Sequence, residues 1–368
     1  MVSSPFLIGV AMRHDGDVNN HQTKEEETAM QITTIGLDLA KTVFHIVGLN
    51  QAGKKVLRKK IKRSHMLAYF ANLPVCTVAM EACASAHYWG RELKKSGHTI
   101  KLLPPRYVKA YVQGNKNDYN DALAIAEASN RPNMRLVSTK TVAQQDIQAL
   151  HRLREGVMSH RTRVSNQIRG LLGEYGIIIP KGVSKLRTAV PSILEDTENN
   201  LTVLFRQLLH RAYTQLQELD EHIQHYDKAI QAVTREDKAA QQLQSIPGFG
   251  PVISSVFASV IGDGKAFKRG RDASAFIGLV PRQHSSGDKP VLLGISKRGN
   301  RYLRGLLIHG ARSVIKHADK KEDRLSRWAT ELVARRGKNK ATVALANKMA
   351  RIGWAILSSG RSYEVKMV

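Results

Sequence analysis

The chain has 368 residues, 42% of them hydrophobic, enough for two or three domains with cores of their own. Its formal net charge is +26, from 57 Lys and Arg against 31 Asp and Glu, a surplus that calls for a polyanionic partner, usually nucleic acid. The two cysteines, Cys76 and Cys83, lack metal-ligand spacing, which excludes a disulfide framework and points to a reducing cytoplasm; no apolar run approaches the ~18 residues of a membrane helix, so no membrane partner is expected.

Residues 1–29 are polar, aperiodic and end in Glu25-Glu26-Glu27. The apolar patch from Pro5 to Met12 lacks the basic flank of a signal peptide, and a disordered extension is expected here. A domain over 30–140 follows. Ile32–Asp38, Val43–Leu49 and Lys55–Ile61 read as three strands in hairpin succession. Ser64 could cap a helix to about Ala71. Val75–Met80 is a buried-type strand, Ala86–Lys95 a helix ending before Gly97, and Thr99–Leu103 a fifth strand. Pro104-Pro105 opens a helix, and Asn120–Ser129 is another. This alternation is the order of an α/β ribonuclease-H-like fold.

Over 141–240 the period changes. Leu150, Leu153, Val157, Val164, Ile168 and Leu171 follow steps of three, four or their sum, as do Leu216, Leu219, Ile223, Tyr226, Ile230 and Val233. Two long amphipathic helices result, suited to a coiled-coil arm and joined by an irregular stretch near 177–200. The arm could be an intramolecular hairpin or an oligomerisation element. Residues 241–368 read as a mostly α-helical carboxy-terminal domain. Its Ile246-Pro247-Gly248-Phe249-Gly250-Pro251 has the form of a helix-hairpin-helix turn, whose amides can hold a phosphate, or of an ordinary interhelix turn. The apolar helix Val252–Ile261 follows, and a last helix runs near Ala341–Leu357.

Four carboxylates stand where metal-dependent phosphoryl chemistry needs them. Asp38 ends the first strand in Ile35-Gly36-Leu37-Asp38-Leu39-Ala40-Lys41. Glu81 follows the fourth in Met80-Glu81-Ala82. Asp118 and Asp121, in Asn117-Asp118-Tyr119-Asn120-Asp121-Ala122, share one face of a helix start. Acids converging at strand ends repel one another unless cations compensate them. Two Mg²⁺ ions about 3.5–4 Å apart would do so and would activate the attacking and leaving oxygens of a phosphodiester. Singly, Asp38 could merely end a strand, Asp118 could cap the helix, and Asp121 could be a solvated first-turn acid.

Farther on, Gly278-Leu279-Val280-Pro281-Arg282 leads into the polar loop Gln283-His284-Ser285-Ser286-Gly287-Asp288-Lys289. Then comes Ile295-Ser296-Lys297-Arg298-Gly299-Asn300 before a helix with Arg301 and Arg304. Arg282, Lys297, Arg298, Arg301 and Arg304 are candidate phosphate contacts. Ser286, beside glycine and near cations, is a candidate nucleophile or a turn residue; His284 is a candidate proton shuttle or a solvated loop residue.

These acid motifs resemble the DEDD motifs of one bacterial transposase family, and the serine and basic motifs resemble its carboxy-terminal domain. On them the chain is identified as similar, over about residues 31–358, to the "one-ten" class of insertion sequences, related to the Piv invertases and now called bridge recombinases. The resemblance implies a RuvC-like amino-terminal domain in which Asp38, Glu81, Asp118 and Asp121 bind Mg²⁺. It implies a serine that forms a phosphoserine link to DNA, Ser286 in this register with Ser285 the runner-up; Asp288 stands where relatives often carry glycine. It further implies a structured guide RNA pairing with donor and target DNA, and a homo-oligomer, dimer to tetramer, that supplies acids and serine from different subunits in a bacterial cytoplasm. The enzymatic rival is a RuvC-like Holliday-junction endonuclease, which needs the acids alone. An actin-like ATPase would need phosphate loops that are absent, and a non-catalytic binding protein would leave the acids unexplained.

Overall fold

The computed structural model describes residues 32–115, 117–287, 289–365 and 367; the extension expected over 1–29 lies outside them. The chain falls into two compact units that part between Thr141 and Val142.

The first unit is a five-stranded mixed sheet flanked by helices. Strands β1 (Thr34–Asp38), β2 (Val43–Leu49) and β3 (Lys55–Lys62) form an antiparallel meander. Strands β4 (Thr77–Glu81) and β5 (Thr99–Leu103) join on the other side, parallel to β1, giving the order β3-β2-β1-β4-β5. Alternation along β1 sends Ile35 and Leu37 into one core. There they meet Met66 and Phe70 of α1 (Met66–Ala71) and Trp89 and Leu93 of α2 (Ala86–Lys95). The opposite face carries Thr34, Gly36 and Asp38. A short helix α3 (Pro105–Val108) precedes α4 (Asp118–Ser129), which lies across that second face. Its approach depends on Gly36: an added Cβ would collide with the Ala122 carbonyl and sit 2.7 Å from the Ala126 nitrogen. Thr34 adds a hydrogen bond from its hydroxyl to Asn130 Oδ1 at the far end of α4 (3.1 Å).

The second unit is helical. The long helices α5 (Val142–Gly173) and α7 (Val203–Glu236) pack antiparallel, with Arg154 on Asp227 (2.6 Å) and Arg161 on Asp220 (3.1 Å). Between them in sequence lies α6 (Val183–Glu195), a helix running through Pro191 where an irregular stretch is expected. It packs Leu186 and Val190 into the arm core, and Arg187 grips Asp220 through both carboxylate oxygens (2.6 and 2.7 Å). With a third helix present the buried stripe shifts. Val164, Ile168 and Leu172 are buried, whereas Leu153 (56% exposed) and Leu171 (44%) leave the expected seam.

After α7 come α8 (Lys238–Leu243), α9 (Pro251–Ile261), α10 (Gly270–Ile277), the hairpin β6 (Pro281–Gln283) and β7 (Leu292–Ile295), α11 (Arg301–Lys316), α12 (Arg324–Arg336) and α13 (Lys338–Ser359). They close around Phe257, Leu303, Leu307, Leu345 and Met349. Helix α9 packs on both arm helices, and a buried polar chain ties α5 to it. His151 Nε2 meets Ser255 Oγ (2.9 Å), and its Nδ1 meets the Tyr302 hydroxyl (3.1 Å). Because Ser255 donates its own proton to the Pro251 carbonyl (2.8 Å), His151 donates from Nε2 and accepts at Nδ1, as neutral imidazole. Among the described residues no helix is long and apolar enough to cross a membrane.

Candidate active site

The acids are placed by strand register. In the parallel pair Leu37 faces Met80, so Asp38 and Glu81 leave neighbouring strand ends together. In the antiparallel pair Asp38 stands opposite His45, and opposed residues share a face. Helix α4 brings the other two. Its cap is Asn117, whose side chain accepts from the Tyr119 amide (2.9 Å); Asp118 is therefore not spent as the cap and is left at the first helical position, with Asp121 one turn on.

One carboxylate oxygen each from Asp38 and Asp118 and a ring nitrogen of His45 lie within 4.8 Å of one another. The carboxyl of Asp38 is raised above its ordinary value by burial first, then by the charges of Asp121 and Asp118, with His45 opposing. That of Glu81 is raised by burial, then by Asp38 and Asp121. Asp118 and Asp121 thus act electrostatically on Asp38, and Asp38 and Asp121 on Glu81, while of the four acids only Asp38 and Asp118 bring donor atoms within 4.8 Å of one another together with His45. His45 Nδ1 is 3.3 Å from Asp118 Oδ2, yet it is off hydrogen-bonding alignment and among the described residues has no hydrogen-bond partner. Mutually repelling carboxylates and an unsatisfied buried nitrogen form a donor set that a divalent cation fits.

His45 is the site residue that the sequence pattern does not reveal. It lies in an apolar strand, between Phe44 and Ile46, where a histidine reads as core filler. The available signal is register: the short turn from Leu39 to Thr42 brings it opposite Asp38.

The serine loop is the tip of the β6–β7 hairpin. Ser285 Oγ accepts from Gln283 Nε2 (3.0 Å) and from the Val291 amide (3.2 Å), so its hydroxyl holds the hairpin closed. Ser286 is exposed at the turn before Gly287, which adopts φ +53, and among the described residues its hydroxyl has no hydrogen-bond partner. The base of the hairpin is closed by bonds from Ser296 N to the Val280 carbonyl (2.8 Å) and from Lys297 N to the Gly278 carbonyl (3.1 Å). Here Gly278 and Gly299 press directly on the backbones of Arg298 and Phe276, leaving no room for a Cβ.

Arg282, Lys297, Arg298 and Arg301 are exposed around this hairpin and helix start, as is His284. Arg304, expected among the phosphate contacts, is buried (9% exposed) and donates to the Ile277 carbonyl (3.0 Å). It lies beside the buried Leu303 face and fastens α11 to α10. In the Ile246–Pro251 turn, Gly248 (φ +87) packs against the Gly310 carbonyl and Phe249 is buried, while Gly250 stays open.

A mixed sheet with acids at adjoining strand ends and on a crossing helix is consistent with an α/β domain of the ribonuclease-H-like class. Comparison with known proteins narrows this. The family model described as Transposase IS116/IS110/IS902 family matches residues 240–326, and a transposase model of the DEDD IS110 type matches residues 35–177. The chain is 46% identical over 341 residues to a transposase for insertion sequence element IS1111A from Coxiella burnetii, covering 92% of this chain and 93% of that protein. It is 44% identical over 335 residues to a probable family 20 transposase from Pseudomonas aeruginosa, covering 91% and 99%. It is 39% identical over 331 residues to a transposase for insertion sequence element IS1328 from Yersinia enterocolitica, covering 89% and 98%. The chain belongs to the IS116/IS110/IS902 family of insertion-sequence transposases.

Proposed function

We propose that this transposase cuts and rejoins DNA strands at an Mg²⁺-dependent acid centre of Asp38, Glu81, Asp118 and Asp121, with Ser286 as the nucleophile and a structured non-coding RNA as guide to donor and target. The observation that carries this is the grouping of Asp38 and Asp118 with His45 within 4.8 Å, with Asp121 and Glu81 in electrostatic reach of Asp38, inside a molecule of net charge +26.

Asp38, Glu81, Asp118 and Asp121 would hold the divalent ions. Bound there, the ions supply Lewis-acid polarisation of a phosphodiester and stabilise charge on the entering and leaving oxygens. Ser286 Oγ bonds to phosphorus as its proton departs, and the displaced DNA oxygen leaves with the bonding electrons and is protonated. The resulting serine phosphodiester conserves bond energy until a second DNA hydroxyl attacks it and releases Ser286. The exposed hydroxyl of Ser286, unpartnered among the described residues, beside a Ser285 engaged in the hairpin, supports this choice of register. Arg282, Lys297, Arg298 and Arg301 neutralise backbone phosphates near the serine, positioning rather than reading the strand. In line with the resemblance, acids and serine come from different subunits of a homo-oligomer, for which the helical arm is the candidate contact.

The test is strand exchange with purified protein, donor, target and candidate guide RNA. Asp38→Asn and Ser286→Ala each abolish exchange while nucleic-acid binding persists, and Ser285→Ala retains chemistry. Full exchange by Ser286→Ala with loss in Ser285→Ala moves the nucleophile by one residue. Full exchange by both variants rejects the covalent route in favour of direct attack of a DNA hydroxyl on the phosphodiester, and cleavage without any exchange in the wild type favours metal-dependent hydrolysis of the RuvC type.

A further inference from the structure

We infer that His45 is a nitrogen ligand of the metal centre, completing a site with Asp38 and Asp118 and tuning it toward ions that accept imidazole. This rests on the acid-centre function proposed above and goes beyond it, because a purely carboxylate site has no such ligand and no such preference.

Three independent placements support the assignment. The β1–β2 register sets His45 directly across from Asp38, on the face covered by α4, so backbone pairing rather than side-chain chance brings the two together. The residue is 9% exposed and its side chain 11%, and its ring packs edge-on against Tyr119 (4.7 Å between centroids). Tyr119 is pressed from another side by the Arg58 guanidinium, 4.0 Å from its ring centre. The imidazole is therefore held in orientation, with Nδ1 toward Asp118. Among the described residues Nδ1 nonetheless has no hydrogen-bond partner, although a buried polar nitrogen left unpaired costs about 1–3 kcal/mol. A shared cation resolves this: it satisfies the nitrogen and the carboxylates at once.

The spacing agrees. Donors bonded to one ion at about 2.1 Å stand at most about 4.2 Å apart across it. The 4.8 Å limit among Asp38, His45 and Asp118 donor atoms needs only small side-chain rotations to close to that sphere. The chemistry gives the consequence. Mg²⁺ favours oxygen donors and retained water, whereas Mn²⁺ and later divalent ions accept imidazole more readily. His45 then widens the preference for Mn²⁺ over Mg²⁺ beyond what carboxylates alone give.

The experiment uses the full-length protein with Mn²⁺ as probe. Electron paramagnetic resonance follows Mn²⁺ binding and its competition by Mg²⁺, and electron spin-echo modulation reports a nitrogen bonded to the ion. The wild type is expected to show histidine-nitrogen modulation, altered by ¹⁵N-histidine labelling and lost in His45→Gln. The amide oxygen of that variant retains Mg²⁺ while Mn²⁺ affinity falls about tenfold or more. Labelling the unmodified chain and mutating His45 to Asn guard against a misfolded glutamine variant. If Mn²⁺ binds the wild type and is lost in Asp38→Asn, but no nitrogen modulation is seen or His45→Gln leaves it intact, His45 is not a ligand and the acid centre stands. If Asp38→Asn leaves Mn²⁺ binding unchanged, the acid-centre function itself fails.

Discussion

At Asp38 burial and like charge act in the same direction. Both raise the carboxyl of the folded chain above its unfolded value, and Glu81 is raised by the same causes. The folded state therefore binds these protons more tightly than the unfolded state, and without metal its stability falls as pH rises through the elevated carboxyl values. Asp38→Asn removes one of the repelling charges. At neutral pH and without divalent ions it should raise the melting temperature of the sheet unit by about 2 °C, and added Mg²⁺ should stabilise the wild type more than the variant. Scanning calorimetry with and without Mg²⁺ decides this; a lower melting temperature in Asp38→Asn would show that the charge is already compensated by the protein. The places of the four acids in the fold were legible in the sequence because strand ends and helix starts are marked by local pattern. His45 was not, since its role depends on a cross-strand register. Arg304 was misread for a related reason: periodicity marks the face of Leu303 and Leu307, but only packing shows that the neighbouring arginine is enclosed to hold the Ile277 carbonyl.

Among the elements, those with strong period and clear ends were read from the chain alone. Ala86–Lys95 and Thr99–Leu103 have the bounds their patterns imply, and α4 begins two residues earlier than Asn120 because Asn117 caps it. Helix α6 was hidden by Pro191 and by a stretch that looks irregular until its apolar residues find the arm. The β6–β7 hairpin was hidden because almost its whole surface is exposed, which leaves no inside-outside alternation to detect. The His151 chain between α5, α9 and α11 also has no sequence signature. Burial, and next Arg154, lower His151 to about 4. From an ordinary value near 6.5, the unfolded state takes up this proton first. The contribution of neutral His151 is thus fully present above about pH 6.5 and is lost as pH falls toward about 4. Protection of α9 and α11 from hydrogen exchange, corrected for the intrinsic pH dependence of amide exchange, should fall across that window in the wild type and respond less in His151→Gln; identical pH profiles would remove His151 as the cause.

For the whole molecule, the charge of +26 announces a polyanion but not what is done to it. Acids held together against that background favour an enzyme over a binding protein, and the exposed serine at the tip of a cation-rimmed hairpin is the feature on which the proposed strand transfer, rather than plain hydrolysis, rests. The cations should act through phosphates: Arg301→Ala should weaken binding to DNA of any sequence and flatten the salt dependence of affinity by about one unit in the log–log slope. Altered sequence preference at an unchanged slope would contradict that role. The most direct measurement of the central claim is peptide mapping of reaction mixtures quenched in denaturant, digested with nuclease and read by tandem mass spectrometry. The expected result is a nucleotide attached to Ser286 in the wild type and none in Asp38→Asn; recombination proceeding with no nucleotide on either Ser285 or Ser286 would contradict the account.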